Sequence, residues 1–538
     1  MPADRVGARR FNLAAGVIIA VAIALRFTRL GTNSFWVDEV SVLAFVRSHH
    51  FLADLRARGG PFEPPLHYAF VWLATQLPIG FESAARIPAA VAGVVEVGAV
   101  IALARRLTRR SGVALIAGAF LAVAPFAVRY SQENRYYTTF SALHLVLWWL
   151  LVRALDRRTD SDFVWWGLAL GALLLAHPFA PLVVLVQVVV VWRVARRPAE
   201  IASDGSRASL VRGARRAAVA AAIVSAPWFI WGARRWIPDA IDGRSYALNV
   251  RSREPVGISP DLFKRATEWL LGNSGRWTIL IGLLLLLVVG AVFATDPWLR
   301  RVARWVTLYS IAFFLALVPL ARVLNTYLAM RRIEFLVAPV MLVAAIGVVD
   351  IAERVRRRCN ARAGRRVLAA TIGLVTTLSL VATVAYFATE KTNYRGLATV
   401  VADTRPEDLV VVGPVDERWP ALIRDYLRWK GVHRRLVFLI PGHRSPPIQI
   451  PTGRMVWITG SPPGGHGFRT RGLNSLTDLQ VIAGDRTAPA AILPWFVSTS
   501  APRTDAALHH QLHTIRGLAV ALPPPGGSRF PWWLITGR

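Results

Sequence analysis

The chain reads as a succession of long apolar runs separated by short segments that are either arginine-rich or mixed aromatic and polar. Eleven runs reach or approach the roughly 20 apolar residues that a helix needs to cross about 30 Å of hydrocarbon. They lie near 11–30, 86–104, 112–128, 138–154, 162–180, 181–195, 217–232, 277–295, 305–323, 334–352 and 367–387. No water reaches backbone N–H and C=O groups inside a bilayer, so each run predicts a helix. The stretch PPLHYAFVWLATQL, 64–77, has only about half to two-thirds of the required length and predicts a re-entrant or interfacial helix. After residue 388 the pattern changes to short apolar runs among Pro, Gly and Arg. Strands are predicted at 408–414, 434–440, 454–460 and 479–484, with an amphipathic helix at 418–430. The expected organisation is a membrane domain, 1–388, followed by a small α/β domain, 389–538.

Orientation follows from the arginines, which accumulate on cytoplasmic loops near span ends. With the N-terminus inside, the inner segments carry Arg5, Arg9 and Arg10, then Arg105, Arg106, Arg109 and Arg110, then Arg153, Arg157 and Arg158. The segments 193–216, 300–304 and 354–366 continue the series. If 64–77 crossed the membrane, RRLTRRS at 105–111 would face outward and every later loop would invert. Eleven spans therefore put the C-terminal domain on the outer face of a plasma or inner membrane.

Composition agrees with this reading. The 538 residues are 54% hydrophobic and only 18% charged, which excludes a disordered or fibrous chain. A net charge of +32 would suggest nucleic acid in a soluble protein, but here the basic residues sit between apolar runs, and no nucleic-acid partner is expected. One cysteine, Cys359, excludes an internal disulfide or a CxxC site.

Charges at a membrane surface are costly and mark function. The first outer loop places Asp38 and Glu39 after Phe35 and Trp36 and before a short helix. The pair suits a helix N-cap, and equally a general base or metal ligand. In the second outer loop, RYSQENRYYTTF, Glu133 is the only acid, flanked by Arg129, Arg135, Tyr130, Tyr136 and Tyr137. An interfacial aromatic belt with a paired glutamate explains this segment, and so does a catalytic site. Outer arginines run against the charge trend: Arg86, Arg234, Arg235, Arg331 and Arg332 join Arg129 and Arg135 there. Guanidinium groups bind phosphate bidentately, so the set suggests a pocket for an anionic headgroup. His67 and His177 lie at the outer ends of their segments, as structural histidines, phosphate partners, proton shuttles or metal ligands.

The series SFWVDE, PPLHY, FESAARIPAAVAG, YSQENRYY and HPFA over the first 180 residues resembles the GT-C fold membrane glycosyltransferases. More narrowly, it is similar to the branch with the protein O-mannosyltransferases and the aminoarabinose transferase of lipid A. The likeness is looser in MRRIEFLVAP and NYRGLATVVADTRPEDLVVVG. It implies an α-helical multi-pass enzyme that transfers a sugar, such as mannose or a pentose, from a polyprenyl phosphate to a hydroxyl acceptor with inversion. By that resemblance Asp38 is the base, with Glu39 beside it, and Glu133 is the second acid. Arg135, Tyr136, Arg331, Arg332, His67 and His177 would serve the donor phosphate, and Trp36, Glu63 and Arg86 the acceptor or the pocket wall. Glu63 departs from the Lys or His that relatives carry there. An acid repels phosphate, so either His67 or an arginine substitutes or Glu63 faces the acceptor. Asp38, Glu39, Glu133 and His177 would suit a divalent metal, though the sequence commits to no cofactor. The alternative reading is a transporter or flippase of an anionic polyprenyl-linked lipid.

Overall fold

The computed structural model describes residues 2–35, 37–46, 51–58, 65–196, 204–241, 278–323 and 330–388, with short stretches between 401 and 536. It divides into two compact units. One is Met1–Gly31 with Ala44–Ala388; the other is Thr32–Leu43 with Thr389–Arg538.

The first unit is helical. Its helices are α1 (Pro2–Phe27), α3 (Phe51–Arg58), α4 (Pro65–Ala74), α5 (Phe81–Thr108), α6 (Ser111–Val123), α7 (Pro125–Ser131) and α8 (Tyr137–Arg157). Then come α9 (Asp160–Leu174), α10 (Ala180–Ala195), α11 (Asp204–Ile241), α12 (Thr278–Val292), α13 (Pro297–Val323), a 3-10 helix (Met330–Leu336), α14 (Val337–Arg358) and α15 (Ala361–Ala388). Helix α2, Val37–Val46, bridges the boundary between the units.

Each of the eleven expected runs overlaps one of these helices. Among the described residues, six helices have the length and apolarity to cross a membrane, or seven if α6 and α7, bent by 59°, form one span. That is fewer than the expected eleven. Four runs fall outside this set: α9, α10 and α12 have 15, 16 and 15 described residues, a rise of about 22–24 Å, short of the hydrocarbon thickness, while α13 has 27 residues but carries Arg300, Arg301 and Arg304 in its first turns. Helix α4, with ten residues, rises only about 15 Å. Leu13, Ile223 and Phe293 are 71%, 69% and 63% exposed, an outer surface that suits lipid rather than water. The chain is a membrane protein.

Two features shape the bundle. Pro125 has no N–H to offer Leu121 O, so the ladder breaks between α6 and α7. In α9, Gly167 and Gly171 face the backbone of α11 at Ala217 and Ala221, so the two helices approach closely only because neither glycine carries a Cβ.

In the second unit, β1 (Leu409–Val412), β2 (Leu436–Leu439), β3 (Met455–Thr459), β4 (Ala491–Pro494) and β5 (Leu534–Thr536) form one sheet in the order β4-β3-β1-β2-β5. The first four strands in that order are parallel, and β5 is antiparallel to β2. The first three strands fall where the sequence pattern expects them; the stretch 479–484 lies outside the described residues.

Candidate active site

The site grows from the turn between α7 and α8. Gln132 Nε2 donates to Leu25 O, Arg26 O and Thr28 O at 3.0, 3.2 and 2.8 Å, satisfying carbonyls that the end of α1 would otherwise leave open. Arg86, buried on α5, donates to Leu30 O at 2.9 Å and holds the same exit from α1. The turn is thereby fixed to α1 and α5.

Glu133 is 1% exposed, with Arg129 Nε 3.6 Å from its Oε1. The Arg129 guanidinium also lies 5.8 Å from the Tyr130 ring and 6.0 Å from that of Tyr386 at the end of α15. Arg135 stacks over Tyr136 at 4.9 Å and Tyr137 at 5.5 Å. The Tyr137 hydroxyl accepts from Arg331 Nε at 3.0 Å and Arg135 Nη2 at 3.4 Å. Arg331, 194 positions beyond Tyr137, thus joins Arg135 at one oxygen. Cations held this close repel one another, and an anion between them would relieve the repulsion.

The histidines close the other side. The bond from Leu66 N to Leu175 O, 3.2 Å, ties α4 to the end of α9. The rings of His67 and His177 then stand 6.4 and 5.1 Å from Tyr136. His67 Nδ1 is 3.1 Å from Thr139 Oγ1. Burial, reinforced by the charge of Arg135 and opposed by Asn134, lowers the His67 pKa to about 3. His67 is therefore neutral, and offers an anion a hydrogen bond rather than a charge. His177 Nδ1 accepts from Phe179 N at 3.0 Å, which in the neutral ring leaves the proton on Nε2. That Nε2 is buried and has no acceptor among the described residues. Arg332 and Arg135 act electrostatically on the same ring.

Sequence reasoning missed a second polar layer. Glu96, on apolar α5, is fully buried and accepts from Ser141 Oγ at 2.6 Å. Glu334 of the 3-10 helix is 1% exposed, and Glu96 and Arg26 both act on it electrostatically. Arg26 donates to Ala122 O at 3.0 Å and Leu121 O at 3.3 Å, the carbonyls at the Pro125 break. A Cβ at Gly93 would lie 2.6 Å from Arg26 Nε, so the glycine makes room for this side chain. The signal was a single acid in VVEVG inside an apolar run, where an ionisable group is expensive.

Asp38 and Glu39 fall in α2, within the segment grouped with the second unit. Glu39 is buried; the Asp38 side chain, Trp36 and Glu63 lie outside the described residues. Among the described residues no three His, Cys, Asp or Glu side chains come together as metal ligands.

Residues 62–231 match the family model described as dolichyl-phosphate-mannose-protein mannosyltransferase. The apo structure of ArnT from Cupriavidus metallidurans aligns with a TM-score of 0.51 at 15% identity, over 79% of this chain and 92% of that one. The chain has the GT-C fold, and its residues 62–231 are similar to that mannosyltransferase family. The oligosaccharyltransferase AglB from Archaeoglobus fulgidus, in complex with an inhibitory peptide and a dolichol-phosphate, aligns with a TM-score of 0.51 at 11% identity, over 80% of this chain and 69% of that one. No curated protein matches the chain in sequence. The matched segment contains His67, Arg86, Glu133, Arg135, Tyr136 and His177; Asp38 and Glu39 precede it, and Arg331 and Arg332 follow it.

Proposed function

We propose that this protein is an inverting glycosyltransferase that moves a sugar, mannose or a pentose, from a polyprenyl phosphate to a hydroxyl acceptor at the outer membrane face. The observation that carries the reading is the Tyr137 hydroxyl held between Arg135 and Arg331, with Arg332 and the Nε2 of His177 on the same side of the molecule's first unit. A polyprenyl chain lies in lipid while its phosphate reaches the interface, so no nucleotide-binding fold is required. Phosphate is already a good leaving group, and fixed cations aimed at its growing charge stabilise the transition state without a general acid.

In this reading Asp38 removes the acceptor proton as the hydroxyl oxygen attacks the anomeric carbon. The bond from that carbon to the phosphate oxygen breaks, and its electron pair leaves with the phosphate. Glu39 and Glu133 orient acceptor and base, Arg135, Tyr136, Arg331 and Arg332 hold the phosphate, and His67 contributes a neutral hydrogen bond. Trp36, Glu63 and Arg86 shape the pocket. The N-terminus is cytoplasmic and residues 389–538 form an outer α/β domain. The dolichol-phosphate in the AglB structure supports a polyprenyl-phosphate donor here. The alternative, a transporter or flippase of an anionic polyprenyl-linked lipid, draws on one specific observation, the burial of Arg26, Glu96 and Glu334.

The test is donor consumption by the purified chain with a panel of radiolabelled polyprenyl-phosphate sugars. Wild type should consume one donor, and Asp38→Ala should consume none while eluting as folded protein. Tyr137→Phe should lose about tenfold or more in kcat/KM, because a hydrogen bond to a charged group contributes about 1.5–3 kcal/mol. Full activity in Asp38→Ala, or transport of the lipid without covalent change, would overturn the assignment.

A further inference from the structure

At the other end of the bundle lies a cavity that the proposed reaction does not use. Its volume is about 670 Å3, and it sits among α1, α5 and α8. Arg86 and Arg105 are 19 positions apart on α5, about 28 Å of helix, close to the thickness of a hydrocarbon core. The cavity and the candidate active site therefore belong to opposite membrane faces.

Its walls and rim differ in character. Phe11, Ala15, Ile19, Ile101 and Trp149 make the wall apolar. Arg105, Arg106 and Arg109 line the rim. Arg106 is neutralised by Asp156, 2.8 Å away. Arg105 and Arg109 have no carboxylate partner among the described residues; their guanidinium groups stand 4.1 Å from the Phe11 ring and 5.0 Å from the Trp298 ring. Retaining arginines on one side of a membrane requires charge alone. It does not require an apolar hollow beneath two guanidinium groups left over after pairing.

Helix α1 connects this hollow to lipid. Residues 11, 15 and 19 line the cavity, while Leu13 and Val17 of the same turns are 71% and 58% exposed on the outer surface. An acyl chain in the cavity therefore stays next to the bilayer that supplies it. Basic pockets between membrane helices bind lipid headgroups on this physical basis, and Arg forks match phosphate oxygens.

We propose that this cavity is a binding site for one anionic phospholipid of the surrounding bilayer, with its phosphodiester at Arg105 and Arg109 and an acyl chain against Phe11, Ile19 and Trp149. Gly98 provides a variant that leaves every charge in place. It lines the cavity, and a Cβ built there meets nothing within 4 Å, so Gly98→Phe extends a ring into the hollow.

The test is native mass spectrometry of the full chain released from detergent after incubation with dioleoyl-phosphatidylglycerol or dioleoyl-phosphatidylcholine. Wild type should retain one phosphatidylglycerol and at least tenfold less phosphatidylcholine. Both Arg105→Gln/Arg109→Gln and Gly98→Phe should reduce the phosphatidylglycerol adduct at least tenfold, with unchanged elution on gel filtration. Equal retention by wild type and Gly98→Phe would reduce the effect to surface charge and overturn the site. Displacement of the adduct by equimolar undecaprenyl phosphate would overturn the phospholipid assignment in favour of the carrier lipid.

Discussion

His67 illustrates how a single side chain acquires its role from its surroundings. In sequence it is a histidine after two prolines and a leucine, equally suited to charge, proton transfer or metal. Burial and the neighbouring Arg135 hold its pKa near 3, against about 6.5 in the unfolded chain. Between those values the unfolded state binds the extra proton, so the stabilisation is fully present above pH 6.5 and is lost as pH falls toward 3. Thermal unfolding in detergent should show wild type losing Tm more steeply than His67→Gln between pH 6.5 and pH 4. Parallel curves would mean that His67 is charged in the fold. Tyr137 gains its role in a similar way. Nothing in RYYTTF distinguishes it from Tyr136, yet its hydroxyl receives both Arg135 and Arg331.

At the scale of elements, small residues and one proline decide how apolar helices meet. Every run could form a helix on periodicity alone, but hydrophobicity gives helices in lipid no reason to prefer one partner. Gly167 and Gly171 supply the preference for α9 against α11. Gly171→Leu would push side-chain carbons into Ala221 O and Val224 Cβ, each already 2.7 Å from an added Cβ. Overpacking of this kind costs about 1–3 kcal/mol, so the variant should unfold at lower temperature, measured by loss of the monodisperse gel-filtration peak on heating. Gly290→Leu, where an added Cβ meets nothing within 4 Å, should leave that temperature unchanged. Pro125 works by omission: the break it makes leaves Leu121 O available to Arg26. Sequence reading found α6 and α7 as one apolar run, because a proline inside such a run marks a bend without giving its angle.

For the whole molecule, orientation and unit boundaries can be tested with the chain's own chemistry. Cys359 is the only cysteine and is exposed between α14 and α15, beside the arginines that predict the cytoplasmic side. A membrane-impermeant maleimide should label it only after permeabilisation of intact cells. In a Cys359→Ser background, Ala402→Cys beyond α15 should label without permeabilisation; the reverse pattern would invert the topology. The sequence by itself determined that the chain is a membrane-embedded helical protein, that α4 is too short to cross, and that arginines and aromatic residues gather on particular loops. These follow from hydrocarbon thickness and desolvation cost, which depend only on local composition. Span count was less legible, because apolar runs do not reveal where helices stop. Tertiary structure alone decided that residues 135, 137 and 331 share one hydroxyl, that Glu96 meets Ser141 and lies within electrostatic reach of Glu334, and that three helices leave a basic-rimmed hollow. Such juxtapositions join positions far apart in the chain, and a local pattern carries no information about which distant side chains will share a desolvated space.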